Sequence, residues 1–262
     1  MPARGGVLAD GSTSPRVSLK VAFSSLVSIL FPASCVLCNS TVDDLALSRV
    51  CKECWSRVAP CQGEVCSQCG YPFPSSNLQS TSPLCGGCRR SYFHFDFARS
   101  YSPFQDPLKE IVHQFKYRAH PSLAQPLARL LFSVYCLHLQ EFSSDMVAPV
   151  PLHRSRERER GFNQSLLLAR YFSRLVDIPF HPRLLTRIRA TQMQAGLSRR
   201  ARRLNLAGAF LLPDKTEVAE KAVLLVDDVF TTGATVNECA RLLRVSGARR
   251  VNVLTLARVI QG

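Results

Sequence analysis

Negative charge is what this chain has least of. Of its 262 residues only 19 are Asp or Glu, against 33 Lys or Arg, for a formal charge of +14. No acid at all stands between Asp177 and Asp214, a stretch holding Arg183, Arg187, Arg189, Arg199, Arg200, Arg202 and Arg203. Such a balance suits anionic partners, nucleic acid or phosphorylated metabolites, and says nothing about fold. Aromatic residues are missing from 181–209, which argues against base stacking there and for phosphate contacts. Missing too is any run of the ~18 apolar residues that a transmembrane helix requires. Hydrophobic residues at 46% and charged residues at 20% exclude global disorder and a collagen-like fibre. The length suggests one or two domains.

Residues 1–16 read as a disordered tail. Val17 to Phe31 is mostly apolar and leads into Pro32-Ala33-Ser34-Cys35, which invites a secretory or lipoprotein reading. Pro32 stands where a lipobox wants a branched aliphatic residue. Leu19, Phe23, Leu26 and Leu30 instead fall on one face with serines elsewhere around the wheel, so 17–33 is expected to be an amphipathic helix. A cytoplasmic location is the corresponding expectation.

Cysteine is abundant, with eleven in the chain. Eight form four C-x-x-C pairs between residues 34 and 90: Cys35/Cys38, Cys51/Cys54, Cys66/Cys69 and Cys85/Cys88. Each such turn aims two thiolates at one point, and two turns complete a tetrahedral zinc site. A closed Cys₄ site leaves no position for substrate, so two structural zinc ions are expected. A disulfide framework would need an oxidising compartment. Redox chemistry would not need four copies. The pairing is taken as sequential, Cys35/38/51/54 and Cys66/69/85/88, with a cross-braced arrangement of first and third pairs as the alternative. Cys61, Cys136 and Cys239 read as buried small hydrophobes, and Trp55 as packing over the ribbon.

Beyond residue 90 the pattern changes to alternating strands and helices, which implies a mostly parallel sheet flanked by helices. Phe93, Phe95 and Phe97 alternate with polar residues as in a strand. Helices are expected over 106–117, 123–139, 163–175 and 235–246, and strands over 146–152, 184–188, 222–226 and 251–256. His153 to Arg160 reads as a charged loop. Its Arg-Glu-Arg-Glu-Arg run (156–160) is either a solvated, self-paired face or part of an anion site.

The segment Val223-Leu224-Leu225-Val226-Asp227-Asp228-Val229-Phe230-Thr231-Thr232-Gly233-Ala234-Thr235 carries the most information. An apolar strand ends in two acids, then a Thr/Gly turn opens a helix. Backbone N–H groups and Thr hydroxyls of such a turn make an anion cradle. Adjacent carboxylates would repel a phosphate at contact, but they suit hydroxyls or a hydrated Mg²⁺ beside it. A phosphorylated sugar with free hydroxyls fits the combination.

This segment resembles the phosphoribosyl pyrophosphate (PRPP) signature of type I phosphoribosyltransferases. Together with the four C-x-x-C pairs, Val150-Pro151-Leu152-His153, Arg160-Gly161-Phe162-Asn163-Gln164 and Gln192…Gly196-Leu197…Arg202…Asn205, it makes residues 19–258 resemble the ComF family. The resemblance implies a double zinc ribbon (34–90) before a phosphoribosyltransferase-like domain (91–262) with a helical hood over 104–140. It implies that Asp227 and Asp228 hold the ribose hydroxyls. Thr231, Thr232, Gly233, Ala234 and Thr235 would wrap the 5′-phosphate. Leu152, His153 and Arg154 would meet pyrophosphate with Mg²⁺, and a flexible basic loop with Gln192, Arg199, Arg200, Arg202 and Arg203 would close over the site. It further implies a link to natural competence and DNA uptake, with competence proteins as partners. The alternative reading is a non-catalytic accessory protein that binds single-stranded DNA. The resemblance departs at Thr231, where 6-oxopurine enzymes carry an Asp general base. That departure argues against hypoxanthine or guanine as acceptor, and no other residue announces itself as the acceptor's base.

Overall fold

The computed structural model describes residues 33–42, 49–73, 83–90, 93–118, 120–138, 143–190 and 205–260. The tail at 1–16, the expected helix at 17–33 apart from Ala33, and the loop carrying Gln192, Arg199, Arg200, Arg202 and Arg203 lie outside them.

The C-terminal part is built on a four-stranded parallel sheet. Its strands are β3 (Phe97–Pro103), β4 (Met146–Pro149), β7 (Ala222–Phe230) and β8 (Arg250–Arg258), in the order β3-β8-β7-β4. A parallel sheet needs cover on both faces, and the sequences of β7 and β8 show it, with apolar residues running almost unbroken along both strands. On one face Leu224, Val226, Leu254 and Leu256 pack against α4 (Ala124–Leu137) and α6 (Gln164–Val176). On the other, Val223, Leu225, Val251 and Val253 pack against α7 (Ala234–Val245) through Val236, Ala240 and Leu243. The alternation follows from the two-residue period of a strand.

Several expectations shift at this level. Phe93 to Asp96 does not join the sheet, and β3 starts at Phe97. The Asp96 carboxylate accepts from Val251 N at 2.8 Å and, on both oxygens, from Arg244 Nη2 at 2.6 Å, so the chain bends there while Phe93 and Phe95 stack at 4.8 Å. Residues 154–160 form a helix, α5 (Arg154–Arg160), not a charged loop. His153 caps it through Ser155 N, Arg156 pairs with Glu159 three residues on, and Gly161 ends it. In the segment expected as a hood, the described α4 packs against β3, β8 and α6, and α3 (Leu108–Tyr117) reaches Asp228 through Lys116. Residues 186–187 form β5 (Thr186–Arg187), paired antiparallel with β6 (Phe210–Leu211) away from the main sheet. Cys239 is fully buried, but Cys136 is exposed, because it sits on the side of α4 opposite Leu127, Leu131 and Val134.

The cysteine-rich part forms two knuckle pairs. The first includes β1 (Ala33–Ser34), β2 (Thr41–Val42) and α1 (Lys52–Ser56), and the second includes α2 (Gly86–Arg90). The two C-x-x-C turns that open them match in detail. Asn39 N donates to Cys35 O and Gly70 N to Cys66 O, and both residues have a left-handed backbone. Each unit covers part of edge strand β3. Cys61 N donates to Tyr101 O, Ala98 N donates to Gln68 O, and Arg99 donates to Ser67 O. An edge strand left bare would offer unpaired backbone groups to other chains. The first unit joins the α4/α6 core and the second joins the α7 core, so the pair straddles the sheet.

Gly70 is the tightest point of this docking. A Cβ there would lie 2.6 Å from Ala98 O, at φ +68°. Gly70→Ala is therefore expected to cost roughly 2–5 kcal/mol from backbone strain and steric displacement together. Denaturant unfolding of the zinc-loaded protein checks this, and a loss under 1 kcal/mol would mean that the ribbon does not seat on β3 at this glycine.

Candidate functional site

Because the strands are parallel, their carboxyl ends lie together, and ligands of such sheets bind beyond those ends. Here that end gathers Asp227 and Asp228 on β7, the turn from Phe230 to Gly233, the loop after β4 and the end of β8 at Arg258. Strand pairing with β8 extends past the acids to Phe230, further than the apolar run at 222–226 indicates.

The two carboxylates are sequence neighbours, so the strand sends them to opposite sides, yet the first turn of α6 bonds both. Gln164 Nε2 donates to Asp228 Oδ2 at 3.2 Å, and Ser165 Oγ donates to Asp227 Oδ1 at 2.7 Å. That turn is fixed by Asn163, whose side chain accepts from Leu166 N. Lys116, at the end of α3, places Nζ 2.8 Å from Asp228 Oδ1. Arg160 holds α3 and α5 together by lying 4.9 Å over the Tyr117 ring. Burial, together with the charge of Asp228, pushes the Asp227 carboxyl up to about 7.

The turn after β7 leaves an open cradle. Gly233 caps α7 at φ +75° with no side-chain cap, and a Cβ there would meet the Phe230 ring at 2.5 Å. The first N–H groups of α7 have no carbonyl partner within the helix. Thr232 Oγ1 is buried and makes no hydrogen bond. A buried hydroxyl in that condition beside an uncapped helix start fits an incoming acceptor such as phosphate oxygen.

The loop after β4 borders a cleft of about 700 Å³ whose lining includes Leu152, Arg154, Arg183 and Arg187, with Glu157 its only acid. The Arg187 guanidinium lies 5.5 Å over Phe210, and burial lowers its pKa while Asp227 acts to raise it. His153 is turned to its capping role. The expected residues Asp227, Asp228, Thr231 to Thr235, Leu152 and Arg154 thus share one end of the sheet. Lys116 and Ser165 were not singled out from sequence, whereas Arg187 belongs to the acid-free arginine stretch noted there. Asn163-Gln164 of this turn stood in the sequence as the end of the Arg160-Gly161-Phe162-Asn163-Gln164 motif.

The eight paired cysteines fall into two groups, Cys35/38/51/54 and Cys66/69/85/88, with all Sγ atoms of each group within 4.8 Å of one another. The geometry is sequential, not cross-braced. Sulfur pairs stand 3.6 Å (Cys38–Cys51), 3.6 Å (Cys66–Cys88) and 3.7 Å (Cys69–Cys85) apart. A tetrahedron with Zn–S of about 2.3 Å requires edges of about 3.8 Å, so both groups fit zinc. Cys51 N and Cys85 N point at Cys35 Sγ and Cys66 Sγ, as suits thiolate ligands. The Ser40 hydroxyl, 2.9 Å from Cys38 Sγ, helps lower that thiol to about 6.

Comparison with known proteins agrees with this division. Residues 26–89 match the double zinc ribbon domain and residues 164–262 the phosphoribosyl transferase domain. Competence protein F of Haemophilus influenzae is 34% identical over 236 residues, covering 87% of this chain and 98% of that protein. DNA utilization protein YhgH of Escherichia coli K12 is 35% identical over 235 residues, with the same shares covered. Competence protein ComFC of Bacillus subtilis is 29% identical over 218 residues, covering 80% of this chain and 84% of that one. Among solved structures, the purine phosphoribosyltransferase of Pyrococcus horikoshii aligns at 18% identity and a TM-score of 0.34, over 50% of this chain and 73% of that one. No helix among the described residues is long and apolar enough to cross a membrane.

The raised Asp227 carboxyl has a consequence for stability. Between about pH 4 and 7 the folded state holds a proton that the unfolded chain has lost, so stability falls as pH rises through that window. Asp227→Asn keeps an oxygen for Ser165 and removes the titration. Its melting temperature relative to the unsubstituted protein is expected to be nearly equal at about pH 4 and higher at about pH 8. A difference that stays flat across that range would show that the carboxyl is not perturbed by folding.

Proposed function

The chain belongs to the ComF family, which joins a double zinc ribbon to a phosphoribosyltransferase domain, and on that premise we propose that it binds PRPP with Mg²⁺ and transfers the phosphoribosyl group to an acceptor. The observation that carries the proposal is the cradle at Thr231–Thr235, where an uncapped helix start and the unpartnered Thr232 hydroxyl face the same turn. The 5′-phosphate would sit on the N–H groups of Gly233, Ala234 and Thr235 and on the threonine hydroxyls. Asp227 and Asp228, one turn of chain earlier, would take the ribose hydroxyls. Pyrophosphate would lie along Leu152 to Arg154, facing the arginines of the adjoining cleft. His153 is committed to the α5 cap, so it would help place Arg154 without touching pyrophosphate.

Mg²⁺, bound with PRPP, would neutralise charge building on the departing pyrophosphate. The carboxylates would fix the sugar so that C1′ faces its acceptor, and Lys116 would hold the Asp228 side chain in place. Among the described residues that line the space beside Thr231, none is a carboxylate, histidine or lysine.

The names of the relatives, together with exposed arginines on α5 and α6 (Arg154, Arg158, Arg170 and Arg174), support a link to DNA uptake. In this reading single-stranded DNA and competence proteins are partners, and the chain works in the cytoplasm, where thiol ligands stay reduced. Phosphate-led binding would weaken steeply with salt.

Calorimetric titration of PRPP with Mg²⁺ tests the site, with the double variant Asp227→Ala/Asp228→Ala beside the parent. Binding by the parent, lost at least about tenfold (about 1.4 kcal/mol) in the variant, is expected. A folded parent that takes no PRPP overturns the assignment, and DNA binding then becomes the leading function. If the sites are separate, the same variant should still bind single-stranded DNA.

A further inference from the structure

A second cavity lies on the other side of the phosphate turn, and one wall of it is zinc ribbon. Its volume is about 270 Å³, slightly below the roughly 300–1,000 Å³ usual for small-molecule pockets. Its lining joins Phe230, Thr231 and Thr232 of the turn to Tyr71 and the Cys85-to-Cys88 knuckle, with Phe93 and Arg258. The ribbon residues therefore face the turn proposed to hold the sugar phosphate.

The chemistry of these walls is selective. Tyr71, Phe93 and Phe230 give flat apolar surface. Arg258, only 4% exposed, lies 5.2 Å over the Tyr71 ring and 4.9 Å over the Phe230 ring and donates to the Cys69 carbonyl. Its Nε is buried without a hydrogen-bond partner. A donor without an acceptor on a residue lining an aromatic-walled cavity fits a planar ring that carries carbonyl oxygen on its edge. Among the described residues the lining holds no carboxylate, so an exocyclic amino group on a ring finds no side-chain carboxylate to accept from it. The charge of Arg258 and Arg90 is balanced by a zinc–thiolate group, which would carry about −2 from four thiolates and one Zn²⁺. The cavity thus favours an uncharged carbonyl edge as well as an anionic one.

We propose that this cavity seats the acceptor ring, and that the second zinc ribbon is a wall of the ligand site and not merely a scaffold. The inference rests on the phosphoribosyl reading for what the ring would receive, but the cavity's affinity for a ring stands on its own geometry. A ring here would lie against Thr231 and Thr232, next to the turn that holds the sugar end of PRPP. The acceptor would enter between two domains, and the ribbon would exclude water from one side of it.

Uracil, orotate and adenine serve as probes, titrated into zinc-loaded protein with and without PRPP and Mg²⁺ and followed by ligand-observed NMR. Uracil or orotate is expected to bind, and adenine to bind at least about tenfold more weakly. Tyr71→Ala and, separately, Phe93→Ala should each weaken the bound ring about tenfold while PRPP affinity stays within about twofold. Zinc content and melting temperature confirm that each variant is folded. No binding by any ring, equal binding of adenine, or ring binding untouched in both folded variants would overturn the inference. Ring binding that depends on Tyr71 in a protein that takes no PRPP would uphold the cavity and sink the phosphoribosyl reading. PRPP binding with no ring would do the reverse.

Discussion

Two carboxylates side by side at the buried end of a central strand set the terms for the rest of this molecule. Burial and the neighbouring charge of Asp228 both disfavour the ionised form of Asp227. The fold answers with donors from three directions. Lys116 comes from the end of α3, Gln164 and Ser165 come from the first turn of α6, and Asp228 N folds back on Asp227. None of these contacts would be needed to hold the sheet together, since the apolar residues of β7 and β8 already do that. An asparagine at 227 would still accept from Ser165 and from Asp228 N without the electrostatic cost. Charge retained at such a place is more readily explained by a ligand than by stability.

The zinc ribbons answer a different constraint. A four-stranded parallel sheet with β3 at its border has an open edge, and here that edge is covered by backbone from the cysteine-rich part at Cys61 and Gln68. A ribbon of this size has too little apolar area to fold alone and depends on metal for its geometry. Its remaining apolar residues are buried in the two cores of the catalytic-type domain instead. The metal sites and the sheet edge therefore support each other, and neither half reads as an appended module.

Much of this was legible from residue order. The C-x-x-C pairs gave the metal groups because two thiols three apart on a tight turn have only one common direction. The run from Val223 to Thr235 gave strand, acids, turn and helix because each step has a local cause. What stayed hidden was non-local. Lys116 sits on the polar side of an ordinary amphipathic helix, and nothing within ten residues shows that this side faces Asp228. The run 154–160 looked like a loop because its charges lack a hydrophobic stripe. It is a short helix held by its two caps and an Arg–Glu pair, signals too weak to outvote composition. Cys136 looked buried because cysteine usually is, but helix phase decided otherwise.

Arg258 joins these themes. It is the last residue of β8, so sheet register fixes where it stands. It lies between a ring from the ribbon and a ring from the phosphate turn, and it bonds a ribbon carbonyl. A buried arginine used only as a tether would be expected to satisfy all its donors, because each unmet one costs on the order of 1–3 kcal/mol. Its Nε is unmet. Arg258 lines the space between the Cys85-to-Cys88 knuckle and the phosphate turn. A tether alone gives no reason for that unmet donor, whereas a ring with an oxygen edge would satisfy it.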